Sequence, residues 1–248
     1  MKPFQIVDDF LAALATVGSA EGLRVALDAA KSAMGFDFVA MTHHCDNGED
    51  RPQMIRLHDY PRAWEFQFDR QRLGPRDPVH RASRATLLGF AWTELGRLIQ
   101  MSAADRAVLA DARHHGIGEG FTVPAHVPGE PNGSVSFAMM AGRSLPHDML
   151  AIAPLVAGHA FECGRRLWRM RPTPATRPML TPRQRECLNW VMRGKSDWET
   201  SQIMGCKPQT VVRHIKQARE RYGVDKRTSL LIRALLDGTL SLADLDAA

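Results

Sequence analysis

Two stretches of the chain hold residues whose types and spacing could do chemistry. In the first, Tyr60, Trp64 and Phe68 stand four apart, so they share one face of a helix or its entry. Asp77 follows Trp64 by thirteen residues, and Trp92 lies beyond it. An apolar cavity with one carboxylate and a few hydrogen-bond donors is what recognition of a small amphiphile requires. Such an aromatic stripe also makes ordinary core. The carboxylate tips the reading, because an acid among aromatics needs a partner, and the amide of a bound ligand is one.

In the second stretch, from Pro208 to Tyr222, Val211, Ile215, Ala218 and Tyr222 recur at helical spacing and form a buried stripe. Gln209, Val212, Arg213, Lys216, Gln217 and Arg219 are left toward solvent, with Arg221 beside the seam; Thr210 near the helix start is counted with this face. Planar and forked donors read base edges, and cations neutralise phosphate. Arg213 and Lys216, in the first half of the helix, are assigned to bases, and Lys207 and Arg219 to phosphate. Val212 is left for a thymine methyl or for partial burial against a neighbouring helix.

Other chemistries find less support. His43-His44-Cys45 has the look of a metal site, but adjacent strand residues point to opposite faces, and zinc needs a second ligand cluster. His114-His115 is the sole candidate partner, and no metal is expected. Without a Gly-rich phosphate loop or a G-x-S-x-G elbow, neither catalysis nor a cofactor is expected. His214 reads as a packed or hydrogen-bonded structural residue.

The elements that must position the basic helix are legible upstream. Thr181 is an N-cap, Pro182 suits the first helical position, and Gln184 closes a capping box. Cys187, Leu188 and Val191 follow at helical spacing until Gly194. Ser196-Asp197-Trp198-Glu199 opens a second helix with a second capping box; Ile203 and Met204 are assigned to its inner side, and Gly205 ends it. Pro208 begins a third helix after a turn too tight for a side-by-side hairpin, so the two cross steeply as in a helix-turn-helix.

The amino-terminal part mixes helices and strands. Helices are predicted near 3–17 and 20–34, the second with Leu23, Leu27, Ala30 and Met34 on one face, and further ones at Arg62–Arg72, from Asp77-Pro78, at Ala103–His115 and over about 145–168. Strands are predicted at Phe36–Thr42, Met54–His58, Thr86–Trp92, Gly120–His126 and Ser134–Ala141, the last two joined by a turn over Pro128–Gly133. The fold class is therefore α+β: an α/β/α unit around a central, largely antiparallel sheet, then an all-α helix-turn-helix domain. The boundaries are 1–168, a proline-rich linker at 169–179, and 180–248.

Charge follows the same division. Residues 1–162 carry 15 Lys and Arg against 19 Asp and Glu, residues 163–179 five Arg and no acid, and residues 180–241 12 against 6. The basic part is thus the one expected to meet a polyanion. No apolar run spans a membrane, no signal peptide opens the chain, and Cys45, Cys163, Cys187 and Cys206 lack paired spacing, so a cytoplasmic protein with free thiols is expected.

Two resemblances cover nearly the whole chain. Leu180, Thr181, Arg183, Glu186, Leu188, Gly194, Lys195, Ser196, Thr210, Val211 and His214 match the L-T-x-R-E-x-E-x-L, G-K-S and T-V-x-x-H pattern of LuxR-type regulators, which this part of the sequence resembles. Gln184 replaces the usual Glu, and Lys207 the usual Ser cap. Tyr60, Pro61, Trp64, Asp77, Pro78, Trp92, Gly120 and Pro124 match the autoinducer-binding domain of the same family, with Phe68 where Tyr is usual. The resemblance implies an N-acyl-homoserine lactone as ligand. Trp64 would donate to the lactone carbonyl, Asp77 accept from the amide N–H, Tyr60 donate to the acyl carbonyl, Trp92 pack on the ring, and Ser136 reach that carbonyl as well. Gly120 would mark backbone with no room for a side chain.

The function these readings point to is ligand-responsive transcription control by a homodimer on a pseudo-palindromic operator, with double-stranded DNA, a small autoinducer and RNA polymerase as partners and no membrane. The alternative within the family is a regulator that senses another small molecule or none. An acyl-lactone-converting enzyme with an appended DNA-binding domain is the competitor from another class; it lacks a recognisable nucleophile–base pair.

Overall fold

The computed structural model describes residues 2–44, 54–128, 130–168 and 178–243. The predicted linker lies almost wholly outside the described residues, as do Cys45 and Gly129 of the predicted turn. The chain divides into two compact units, Met1–Arg171 and Pro172–Ala248.

In the first unit, helices α1 (Pro3–Leu14) and α2 (Ala20–Ala33) precede strands β1 (Phe38–His43) and β2 (Arg56–His58). Helix α3 (Arg62–Arg70), a 3-10 turn at Gly74–Arg76 and α4 (Pro78–Ser83) lead to the short β3 (Phe90–Ala91). Then come α5 (Leu95–Leu98), α6 (Ala103–His114), β4 (Ile117–Ala125), β5 (Gly133–Met140) and α7 (Ala153–Leu167). The strands form one sheet in the order β2-β1-β5-β4-β3, every neighbouring pair antiparallel.

Period-two alternation divides the chemistry between the two faces of that sheet. Val135, Phe137 and Met139 of β5, with Val39 and Met41 of β1, join the core made with α1, α2 and α7, where Leu23, Leu27, Ala30 and Met34 are all buried. Ser136 and Ala138 point the other way, as does Thr122, which is opposite Ser136 in the β4–β5 register. That second face is covered by α3, α4 and α6. An irregularity between Ile117 and Gly120 turns Ile117 to the second face as well.

Several boundaries differ from those read off the sequence. The predicted helix over 145–168 is only α7, preceded by a 3-10 turn at His147–Met149. Pro154 lies in the first turn of α7, where its missing N–H leaves no bond unmade, and so marks the start that the periodicity obscured. The strand predicted at Thr86–Trp92 is reduced to Phe90–Ala91, because the chain coils into a 3-10 turn at Trp92–Glu94. Gly35, at φ +84, delays β1 until Phe38.

The second unit contains α8 (Pro182–Met192), α9 (Asp197–Ile203), α10 (Pro208–Tyr222) and α11 (Arg227–Leu236). Both predicted capping boxes are present: Thr181 with Gln184, and Ser196 with Glu199. Val211, Ile215, Ala218 and Tyr222 are the buried stripe of α10, packed with Cys187, Leu188, Val191 and Met204. One assignment is overturned: Ile203 is 47% exposed, and Thr200 and Ser201 turn inward from α9 instead, while Met204 is buried as expected. Helix α11, not recognised in the sequence, closes the core with Leu230 and Ala234. Its Arg227 holds Asp197 of α9 at 2.8 Å.

Candidate functional site

A cavity of about 820 Å³ lies between the second sheet face and α3, α4 and α6. Its wall includes all six residues singled out from the sequence: Tyr60, Trp64, Phe68, Asp77, Trp92 and Ser136. Trp64 comes from the first turn of α3, and Phe68 follows one turn later with its ring edge-on at 5.8 Å. Tyr60 leads into that helix between Phe38 at 5.9 Å and His58 at 6.1 Å. Burial, with Asp77 and Asp59 nearby, pushes the Tyr60 hydroxyl far above its usual pKa, so it remains a neutral donor. Among the described residues neither that hydroxyl nor the Trp64 indole N–H has a hydrogen-bond partner.

Asp77 has two roles. It is the N-cap of α4, with Oδ1 accepting from the Val79 N–H at 2.7 Å. Oδ2 is left facing His80, whose Nε2 is 4.0 Å away, too far for a hydrogen bond. The cap fixes the carboxylate, and the second oxygen is available to a donor from the cavity.

Trp92 is held more firmly than its sequence context foretold. Its indole N–H donates to Thr122 Oγ1 at 2.9 Å, and that hydroxyl is 2.8 Å from Ser136 Oγ. The indole packs against Gly120, where an added Cβ would come within 2.4 Å of the ring. Thr122 is a site residue that sequence reasoning missed. The available signal was strand parity, since Thr122 shares the face of Gly120 and stands across from Ser136.

The doublet His43-His44 splits as strand geometry requires. His43 meets the Phe161 ring at 5.1 Å and accepts from the Ile55 N–H at 3.0 Å, whereas His44 stacks on His80 at 3.9 Å and contacts Ser134 at 2.9 Å. Burial drives the His44 pKa well below its usual value and lowers that of His43. Among the described residues no three His, Cys, Asp or Glu side chains are grouped to hold a metal ion.

In the second unit the turn from α9 to α10 is a Schellman closure. Gly205 adopts φ +62, the Cys206 N–H donates to the Ser201 carbonyl, and the Gly205 N–H donates to that of Gln202. Lys207 is the N-cap residue of α10, exposed and without a side-chain cap bond. Gln209, Val212, Arg213 and Lys216 are exposed on one side of the helix, with Thr210 half-buried at its start. Arg219 is placed differently from the rest: it is half-buried, and one arm donates to the Asp225 carbonyl at 2.5 Å. Gln217 accepts from the Gln184 amide at 3.3 Å, linking the basic helix to the capping box of α8. His214 is half-buried, and its Nδ1 has no partner among the described residues. Trp198, 64% exposed on α9, was not anticipated.

Comparison with known proteins extends these observations. Residues 19–164 match the model of the autoinducer binding domain, and residues 178–234 that of bacterial regulatory proteins of the luxR family. The transcriptional activator BjaR1 of Bradyrhizobium diazoefficiens is 28% identical over 92% of this chain and 93% of its own length. The quorum sensing-dependent transcriptional regulator RpaR of Rhodopseudomonas palustris is 30% identical over 77% of each chain. Among solved structures, Escherichia coli SdiA matches with a TM-score of 0.60 at 20% identity, covering 95% of this chain and 98% of its own, a likeness of fold.

Proposed function

Because the chain belongs to the luxR family of bacterial regulatory proteins, with an autoinducer-binding domain ahead of its DNA-binding domain, we propose that it is a quorum-sensing regulator whose effector is an N-acyl-homoserine lactone. The observation that carries this reading is that two donors, Tyr60 and Trp64, and one acceptor, Asp77 Oδ2, are open to the cavity beside the rings of Phe68 and Trp92. An acyl-lactone presents two carbonyls and one amide N–H, the complement of that set. Trp64 donates to the lactone carbonyl, Tyr60 to the acyl carbonyl, and Asp77 accepts from the amide. Trp92 backs the ring, Phe68 is apolar wall, and Ser136 reaches the acyl carbonyl from the sheet.

Binding only the folded unit, the ligand stabilises it by mass action. The chain acts as a homodimer in the cytoplasm, and two copies of α10 enter successive major grooves of a pseudo-palindromic operator, about 34 Å apart. Arg213, Lys216, Gln209 and Thr210 face bases, Val212 a thymine methyl, and Lys207 phosphate, while Arg219 shares its charge between phosphate and the Asp225 carbonyl. RNA polymerase is the partner through which the bound dimer acts on transcription.

The test is to incubate the purified full chain with acyl-homoserine lactones and follow both retention and turnover. Stoichiometric retention of intact lactone, with tighter operator binding or its release, is expected. Conversion of the lactone would mark an enzyme, and indifference to every lactone a regulator of another effector or of none.

A further inference from the structure

One turn along α4 from Asp77, the imidazole of His80 lines the same cavity, and the ligand reading above leaves it without a role. Three contacts orient its ring. His44 stacks on it at 3.9 Å, Phe68 meets it at 6.1 Å with the planes steeply inclined, and Nδ1 lies 3.2 Å from the Gly74 carbonyl. A carbonyl oxygen only accepts, so Nδ1 carries the proton, and in the neutral ring Nε2 presents a lone pair. Nε2 has no hydrogen-bond partner among the described residues; Asp77 Oδ2, 4.0 Å away, is itself an acceptor.

Two acceptors therefore stand side by side in a cavity that Tyr60, Trp64, Phe68 and Trp92 also line. Asp77 Oδ1 is committed to the Val79 N–H, so the pair that faces the cavity is Oδ2 of Asp77 and Nε2 of His80. A ligand whose single donor is an amide N–H satisfies one of them and strips water from the other. A second donor close to the amide satisfies both. On an acyl chain that donor is a hydroxyl near the carbonyl.

Resting on the acyl-homoserine-lactone reading, we propose that His80 is a specificity-determining residue that accepts a hydrogen bond from a hydroxyl on the carbon alpha or beta to the acyl carbonyl. The protein thereby selects hydroxyacyl ligands. A methylene at that place leaves Nε2 unpaired, and an oxo group sets a further acceptor against it, so affinity falls in the order hydroxy, unsubstituted, oxo.

Calorimetry on the full chain with β-hydroxyacyl, unsubstituted and β-oxoacyl homoserine lactones of equal chain length tests this. The hydroxyacyl ligand should bind about tenfold more tightly than the unsubstituted one. His80→Leu should bring that ratio close to one while retaining affinity for the unsubstituted chain; His80→Gln, which keeps an acceptor, should retain part of the preference. A purely packing role for His80 would lower all three affinities and leave their ratios alone. If His80→Leu does not fold, nitrogen NMR of histidine-labelled wild-type protein replaces it: Nε2 should shift on adding the hydroxyacyl ligand and not the unsubstituted one. A wild-type ratio near one, a preference that survives His80→Leu, or a protonated Nε2 in the complex overturns the role of His80 and leaves the lactone reading standing. Failure of all three lactones to bind overturns the lactone reading itself, and the role of His80 with it.

Discussion

The indole N–H of Trp92 donates to the hydroxyl of Thr122 at 2.9 Å, and Thr122 is itself wholly buried and bonded to Ser136 at 2.8 Å. A ring expected only to pack is thus tied to the sheet through a threonine. Thr122→Val keeps the shape of that side chain and removes its hydroxyl, which leaves the indole N–H unpaired in a buried place. The sensor should lose about 1–3 kcal/mol of stability or ligand affinity. Trp92→Phe in the same background should add little further loss, because the bond is already gone; a double-mutant cycle on ligand affinity measures the coupling.

Asp77 commits one oxygen, Oδ1, to the cap of α4 and leaves Oδ2 on the cavity side. Asparagine caps helices about as well as aspartate, so Asp77→Asn should keep the α4 cap while its amide can present a donor where the ligand brings one. The expected outcome is near-normal thermal stability with ligand response abolished. Asp77→Ala should lose the response and about 1 kcal/mol of stability as well. Thermal denaturation of the two variants beside a reporter dose-response distinguishes them; a normal response in Asp77→Asn would sink the assignment of Oδ2 to the amide.

Arg213 and Lys207 are exposed at different places on the recognition helix, which predicts different failures. Arg213→Ala should cost about 1–3 kcal/mol on the specific operator and flatten discrimination at one base pair per half-site. Lys207→Ala should weaken all sequences alike and reduce the salt slope by about one. Fluorescence anisotropy on operator and scrambled DNA across a salt series compares them. Equal weakening of both DNAs by Arg213→Ala would mean that the helix docks differently.

Burial holds His44 well below its unfolded value of 6.5 and lowers His43 as well. The sign follows directly. Well above pH 6.5 both rings are neutral whether the chain is folded or not, and the stability is intact. As pH falls through that value the unfolded chain takes up protons that the folded one refuses, so stability declines until the folded pKa is reached, by up to about 1.4 kcal/mol per pH unit for each ring. The melting temperature of the first unit should drop between about pH 7.5 and 5.5, and His44→Gln should make the drop shallower. A profile flat across that range would contradict the burial of these rings.

The Gly205 backbone supplies a further check on the helix-turn-helix. An added Cβ meets nothing within 4 Å, so any cost of Gly205→Ala comes from the φ of +62 and not from a clash. A loss of about 1 kcal/mol in the stability of the second unit is expected, with weakened DNA binding as the start of α10 shifts. Chemical denaturation with an operator titration reads both; unchanged values would show that the turn tolerates another closure.

Local chemistry determined much of this protein in the sequence itself. Both capping boxes, the glycine that ends α9 and the buried stripe of α10 depend on residues a few positions apart, so their spacing carried the whole of the geometry. The six cavity residues were legible for a related reason, since the types and intervals of five of them match a family pattern and Phe68 stands where that pattern has Tyr. Spacing is a weak guide in α9. Hydrophobicity alone assigns Ile203 inward, yet α9 buries Thr200 and Ser201 and leaves Ile203 47% exposed. Only the tertiary structure joined Trp92 to Thr122, separated by 30 positions, and set His80 beside Asp77 on the cavity wall under the stacked ring of His44. Strand pairing brings β3, β4 and β5 into register and thereby aligns hydroxyls that no local period connects, while the short helix α4 turns its carboxylate and imidazole onto the same space. The ligand's complement is decided by such long-range placements, because which polar atoms are left without a partner depends on everything that folds around them.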